Sequence, residues 1–199
     1  RAINILESSA INKDSTYINL LNDFALTHFL NYNLDKVVEL LDSSLFLMNE
    51  NLKKSIPGGI NSFIRGFILT EIGRIDEGRD YLEKGIEIIR EVLGEQHILY
   101  GYCLRGLVVN YLKRGEFKKM LTLWEKSISL HIKNLGSDNP ITAMCRRFKA
   151  YYHIEIENYI EAEKIIFDVL RVVKEYRGEN SNEYISNLGT LVQIYAKTG

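Results

Sequence analysis

The sequence is poor in the residues that interrupt or cross-link a chain. Of its 199 residues only two are proline, Pro57 and Pro140, and only two are cysteine, Cys103 and Cys145. Two thiols in a chain of this length exclude a disulfide framework, and so few prolines leave room for long unbroken helices. An excess of one charge is missing too: 25 Lys and Arg stand against 26 Asp and Glu, for a formal net charge of -1. That balance removes the strongest argument for bulk nucleic-acid binding. No apolar run approaches the roughly 18 residues of a membrane span. The sequence opens on Arg1 without Met or a signal-peptide pattern, so it reads as a piece of a longer chain. Reduced thiols and the missing signal point to the cytoplasm. What remains, 46% hydrophobic and 26% charged, is a composition able to bury a sizeable core.

A repeat runs through that composition. Gly94, Gly136 and Gly178 are each 42 residues apart, and so are Gly73, Gly115, Glu157 and Gly199. Two registers with one spacing define a unit. Within it the apolar residues have helical period: Leu104, Leu107, Val108 and Tyr111 share one face, and Phe117, Leu121, Trp124, Ile128 and Ile132 share another. Leu82, Ile86, Ile89 and Leu93 repeat the second helix one unit earlier, and Ile166, Leu170 and Val173 one unit later. Gly115 is placed to end the first helix, where a residue without Cβ turns the chain tightly. Gly136 and the run Ser137-Asp138-Asn139-Pro140 end the second helix and open the next. Each unit is therefore helix A, tight turn, helix B, longer turn. Neither helix can bury its apolar stripe alone, so the units must stack.

Leu104, Leu107, Val108 and Tyr111, then Gly115, Phe117, Trp124 and Ser127, resemble a tetratricopeptide (TPR) repeat. Tyr159, Ala162, Ile166 and Val169 follow the same pattern, and Leu188, Leu191, Val192 and Tyr195 begin another unit. The 42-residue period, with Leu-Gly-x-x-His or Leu-Gly-x-x-Asn-Pro between units, resembles the kinesin-light-chain subgroup. The resemblance implies an all-α, right-handed α-solenoid of antiparallel helix pairs, about 4.5 repeats long. The expected repeats are 14–54, 55–96, 97–138, 139–180 and a partial 181–199, forming one solenoid segment. The first is the weakest, with Leu21, Phe24, Ala25 and His28 as its helix A and Leu34, Val37, Leu41 and Ser44 as its helix B. Gly58-Gly59 is read as a hinge or helix-ending turn, because it lacks the Lys-Ser/Thr ending of a phosphate loop.

The sequence nominates no catalytic constellation, metal site or cofactor. His28, His97, His131 and His153 are dispersed, and a nucleophilic thiol would need a partnered base. The resemblance therefore implies a non-enzymatic interaction module. Its partner would be a protein or peptide, not a nucleic acid. Between Leu99 and His153 ten Lys and Arg face only Glu116, Glu125 and Asp138, which reads either as solvated helix faces or as a basic segment that attracts an acidic peptide or protein surface. In TPR arrays the helix-A position of Arg105 and Arg147 generally faces the concave groove. Phe63 holds it one unit earlier, and Phe67, Val109 and Tyr151 form a second row one turn on. With Tyr102 and Lys113, these residues are the expected partner-binding set, since arginine forks and aromatic walls suit carboxylates and extended peptides. The asparagines usual in the kinesin-light-chain groove are replaced by Arg105-Gly106, Arg147-Phe148 and Gly189-Thr190.

Two other roles stay open. Gly115-Glu116-Phe117, Leu123-Trp124, Asn134-Leu135, Pro140 and Thr142-Ala143 are similar to the TPR-like segment of the Fem family of ubiquitin-ligase receptors. That likeness implies a substrate-recruiting or regulatory segment of a larger enzyme. Alternatively, the chain is a structural segment of a large assembly. Leu188, Leu191 and Tyr195 would leave an apolar face open, so further repeats, a capping helix or another subunit is expected to cover it.

Overall fold

The computed structural model describes residues 15–30 and 33–199. Among them there are ten α-helices and no strand. The chain divides into two compact units, one ending at Gly94 and the other beginning at Glu95.

The first unit contains α1 (Ser15–Leu30), α2 (Leu34–Leu47), the single turn α3 (Glu50–Lys53), α4 (Ile56–Glu71) and α5 (Ile75–Leu93). Helix α1 packs on α2 and α4, and α4 on α5. Leu21, Ala25, Val37, Leu40, Leu41, Ile64 and Ile68 form its core. A buried polar web ties the three helices together: Ser44 donates to Asn22 Oδ1 (2.9 Å), as does Asn61 Nδ2 (3.0 Å), while Asn22 Nδ2 donates to the Pro57 carbonyl (3.2 Å). Each buried amide of the web thus has a partner, which is what makes its burial tolerable. Position 14 and the Leu34 side chain lie outside the described residues.

The second unit contains α6 (Ile98–Lys113), α7 (Phe117–Leu135), α8 (Pro140–Glu155), α9 (Tyr159–Arg177) and α10 (Asn182–Thr198). Helix α6 pairs with α7 and α8 with α9. Helices α6 and α8 also touch each other, as α7 does α8 and α9 does α10. Leu104, Val108, Met120, Ile166, Val169 and Ile194 are almost wholly buried.

The 42-residue period is written in the helix ends. His97 Nδ1 accepts from the Leu99 amide (3.1 Å), Asn139 Oδ1 from Ile141 (2.9 Å) and Ser181 Oγ from Tyr184 (3.3 Å), so three successive A helices are capped at equivalent residues. The B helices α5, α7 and α9 all run 19 residues and stop at Gly94, Gly136 and Gly178, with φ of 78°, 87° and 80°. The A-to-B turns pass through Gly73 and Gly115 (φ 90° and 71°) and, at the matching place, Glu157, a non-glycine residue at φ 59°. The all-α architecture of antiparallel helix pairs implied by the resemblance is the one observed among the described residues.

Two expectations are corrected. Gly58 and Gly59 are no hinge, because both lie buried in the first turn of α4. A Cβ on Gly58 would stand 2.3 Å from the Lys53 carbonyl oxygen, and one on Gly59 would stand 2.9 Å from Ile89 Cδ1. Glycine is there for close approach. Ile132, assigned to the apolar stripe of α7, is exposed; the helix turns Leu130 and His131 inward instead.

Candidate functional site

Tyr102, Arg105, Val109 and Lys113 fall at i, i+3, i+7 and i+11 of α6, and Arg147 and Tyr151 at i, i+4 of α8, so each set shares a helix face. The guanidinium of Arg105 lies against two rings, 5.7 Å from the centroid of Tyr102 and 5.6 Å from that of Phe148. Arg147 lies 5.5 Å from the ring of Tyr151 and donates to Ser186 Oγ (3.2 Å). The Nε atoms of both arginines are buried without a hydrogen-bond partner. Burial holds Arg105 below the usual guanidinium range, and the neighbouring Arg147 pushes the same way. An arginine stays charged at any ordinary pH, so this is a half-buried cation with its Nε sealed.

The surrounding basic residues are treated differently. Arg114 and Lys119 pair with Glu116 (2.5 and 2.6 Å), and Lys126 with Glu95 (2.8 Å). Lys133 donates to Gln96 (2.8 Å), Arg146 to the Ser137 carbonyl (2.7 Å), and Lys149 lies 5.0 Å from the Trp124 ring. Most of the basic run is thus absorbed by its own neighbours. Among the described residues, Arg105 and Arg147 have no carboxylate at ion-pair distance.

The expected site residues separate into groups. Phe63 and Phe67 stack in the first unit, with centroids 6.3 Å apart. Within the second unit, Tyr102 and Arg105 line a pocket of about 210 Å³ whose apolar wall is Pro140, Ile141, Met144 and Val173. Arg177 and Glu183 complete it. Lys113 and Tyr151 line another, of about 250 Å³, with Leu112, Ile154, Glu155 and Gln193. Val109 is buried and offers little surface. Tyr102 meets the ring of His131 edge-on at 4.9 Å, and burial raises its hydroxyl's pKa.

Sequence reasoning missed Met144, Phe148, Arg177 and Glu183. Met144 was accessible, since it lies 42 residues after Tyr102. Arg177 and Glu183 sit at helix ends that the period locates, but their residue types do not repeat: Leu93 and Leu135 stand at the position of Arg177, and Leu99 and Ile141 at that of Glu183. His131 was also passed over. It is wholly buried, and its Nδ1 donates to the Ser127 carbonyl (2.8 Å).

Among the described residues no three His, Cys, Asp or Glu are gathered to hold a metal, and no helix is long and apolar enough to cross a membrane. Cys103 and Cys145 are free and buried, and burial pushes the Cys103 thiol up to about 12. A thiol so poor in thiolate is no nucleophile.

Residues 66–99 match the family model of the tetratricopeptide repeat. No curated protein matches the chain. Two solved structures of a putative kinesin light chain from Podosopora anserina, with nearly identical TPR-like repeats, share the fold. One is of a point-substituted form and is 16% identical, with a TM-score of 0.67 over 93% of this chain and 88% of that one. The other is 15% identical, with a TM-score of 0.66 over 94% and 89%. With a matched tetratricopeptide repeat at 66–99 inside a 42-residue series of helix pairs, the chain has the TPR-like repeat fold of these kinesin-light-chain structures.

Proposed function

We propose that the chain is a non-enzymatic interaction module whose second unit holds an acidic peptide or protein segment along α6 and α8. The observation that carries this reading is the pair Arg105 and Arg147: two arginines with buried Nε atoms, aromatic neighbours and no protein carboxylate. A half-buried guanidinium with no opposite charge beside it is under-compensated, and a ligand carboxylate reaching its outer nitrogens would relieve that. Tyr102, Lys113 and Tyr151 supply flanking contacts on the same two helices. The module works in the cytoplasm, where Cys103 and Cys145 stay reduced.

Panning a random-peptide display library on the chain tests this. Enriched peptides are expected to carry acidic residues. They should lose at least tenfold in affinity for the variant Arg105→Glu/Arg147→Glu, whose melting temperature stays within a few degrees of the original. Equal binding to both proteins would refute the assignment.

A second reading, a segment within a larger assembly, is favoured by α10. Ile185, Leu188, Val192 and Tyr195 form one exposed stripe on it, at the positions of Ala143, Arg146, Ala150 and His153 one unit earlier. Further repeats or another subunit would cover this stripe. Concentration-dependent self-association of the isolated chain, abolished by Val192→Glu, supports that role; a monomer at all concentrations counts against it.

A further inference from the structure

The pocket beside Arg105 is too small and too mixed in character to be merely a stretch of acidic-peptide groove. Its volume of about 210 Å³ falls below the roughly 300 Å³ at which drug-sized ligand pockets begin. It has room for a single residue or a molecule of that size. One wall is apolar, made by Pro140, Ile141 and Met144 from the start of α8 and Val173 from the end of α9. Arg105 lies against the Tyr102 and Phe148 rings, with its Nε sealed from water and from any partner. Arg177 and Glu183 stand at the same pocket; the Glu183 carboxylate offsets one of the two guanidinium charges, so a single negative charge balances the lining and a run of acidic residues does not. The charge left over asks for one anion, and the wall asks for an aliphatic or aromatic group beside it.

We infer that this pocket is a discrete binding site for a single carboxylate attached directly to an apolar group, with Arg105 as the anion contact and Ile141 and Met144 receiving the apolar part above the buried Val173. The inference rests on the reading that Arg105 serves a ligand. It adds the chemistry of that ligand: one charge, not several, and an apolar neighbour. Two sources offer this chemistry, the C-terminal residue of a polypeptide and a free small acid. Tyr102 forms one side of the site, and its contact with His131 fixes the ring that Arg105 lies against. Arg147 is not among the lining residues, so the site is separable from the rest of the proposed groove.

The test titrates the whole 199-residue chain with N-acetyl-leucine, which stands for a chain terminus, with N-acetyl-leucine amide, and with 4-methylpentanoate, which stands for a free acid. The readout is the methyl resonances of Ile141, Met144 and Val173 in carbon-labelled protein. Saturable shifts of these methyls with one or both acids are expected, and at least tenfold weaker binding of the amide. Arg105→Gln should abolish the acid's effect, and Lys118→Gln, at an exposed lysine outside the pocket, should leave it within twofold. The tighter of the two acids identifies the source. If Arg105→Gln does not fold, Met144→Trp, which fills the pocket and keeps the charge, is expected to abolish binding instead. Amide binding as tight as acid binding, or acid binding that survives both variants, overturns the inference. The peptide-groove reading fails separately, when display-selected peptides ignore the charge reversal at Arg105 and Arg147.

Discussion

The helix pairs α4/α5 and α6/α7 have the same lengths and the same period, yet they close their seams by opposite means. Four equivalent positions make the contact: Gly59, Gly66, Gly78 and Gly85 in the first pair, Gly101, Val108, Met120 and Ser127 in the second. In the first pair backbone lies on backbone. A Cβ on Gly66 would stand 2.6 Å from the Gly78 carbonyl oxygen, one on Gly78 2.5 Å from Thr70 Oγ1, and one on Gly85 2.8 Å from the Phe63 amide nitrogen. In the second pair side chains fill the seam. Val108 and Met120 are wholly buried, and Ser127 Oγ donates to the Gly101 carbonyl (2.8 Å). The pair α8/α9 takes a middle course with Ala143, Ala150, Ala162 and Val169. The period decides where paired helices touch; side-chain volume at these four places decides how near the backbones come. A further position differs in kind. The buried Ile89 of the first pair and Val173 of the third correspond to His131 in the second, and that ring supports Tyr102 beside the candidate site.

The comparison can be broken most severely by exchanging the seams. Gly66→Val with Gly78→Met puts the second pair's residues into the first. No side chain can retreat from a backbone contact, so the exchange should cost more than about 3 kcal/mol or prevent folding. Urea denaturation measures this, and a loss below about 1 kcal/mol would mean the glycines are not close-packed. Emptying the other seam is milder, with Met120→Ala expected to cost about 2–3 kcal/mol through the cavity it leaves.

The His131 difference predicts a pH effect. Burial lowers the pKa of His131, its bond to the Ser127 carbonyl partly opposes this, and Arg105 reinforces the lowering. The folded chain therefore holds the ring neutral where the unfolded chain has begun to bind a proton. Stability should be full above the unfolded value of about 6.5 and decline as pH falls below it. The decline levels off once the folded ring is protonated too. His131→Val, the residue of the third pair, should flatten that limb in melting experiments between about pH 5 and 7. An unchanged slope would assign the acid sensitivity to other groups. The smallest effect concerns the turns: Glu157→Gly restores the glycine of the other units at φ 59° and should stabilise by about 0.5–1 kcal/mol. A destabilising result would mean that the Glu157 side chain contributes more than its backbone costs.

Much of the fold was legible because the period lies in residues with strong local preferences. The glycines at 94, 136 and 178 needed positive φ, and His97 and Asn139 sat where caps are required, so the helix boundaries followed. The seam contacts were not legible. Gly58-Gly59 reads as a turn because glycine's use in close helix packing leaves no periodic mark, and Met120 fills a place the repeat usually gives to a small residue. The face carrying Arg105 and Arg147 followed from the register. What distinguished them from the other eight basic residues of the run did not, since ion pairs such as Lys126 with Glu95 join residues 31 apart in the sequence. The pocket wall is likewise assembled from the ends of α8, α9 and α10, and of its residues only Met144 shares a repeat position with an expected site residue, Tyr102.

The most direct test is amide hydrogen exchange of the chain with and without a display-selected peptide. The account predicts added protection concentrated in residues 98–113 and 140–155, the helices that carry Arg105 and Arg147. Protection confined to 182–198, or absent from both A helices, would contradict it and shift the interface to the exposed stripe of α10.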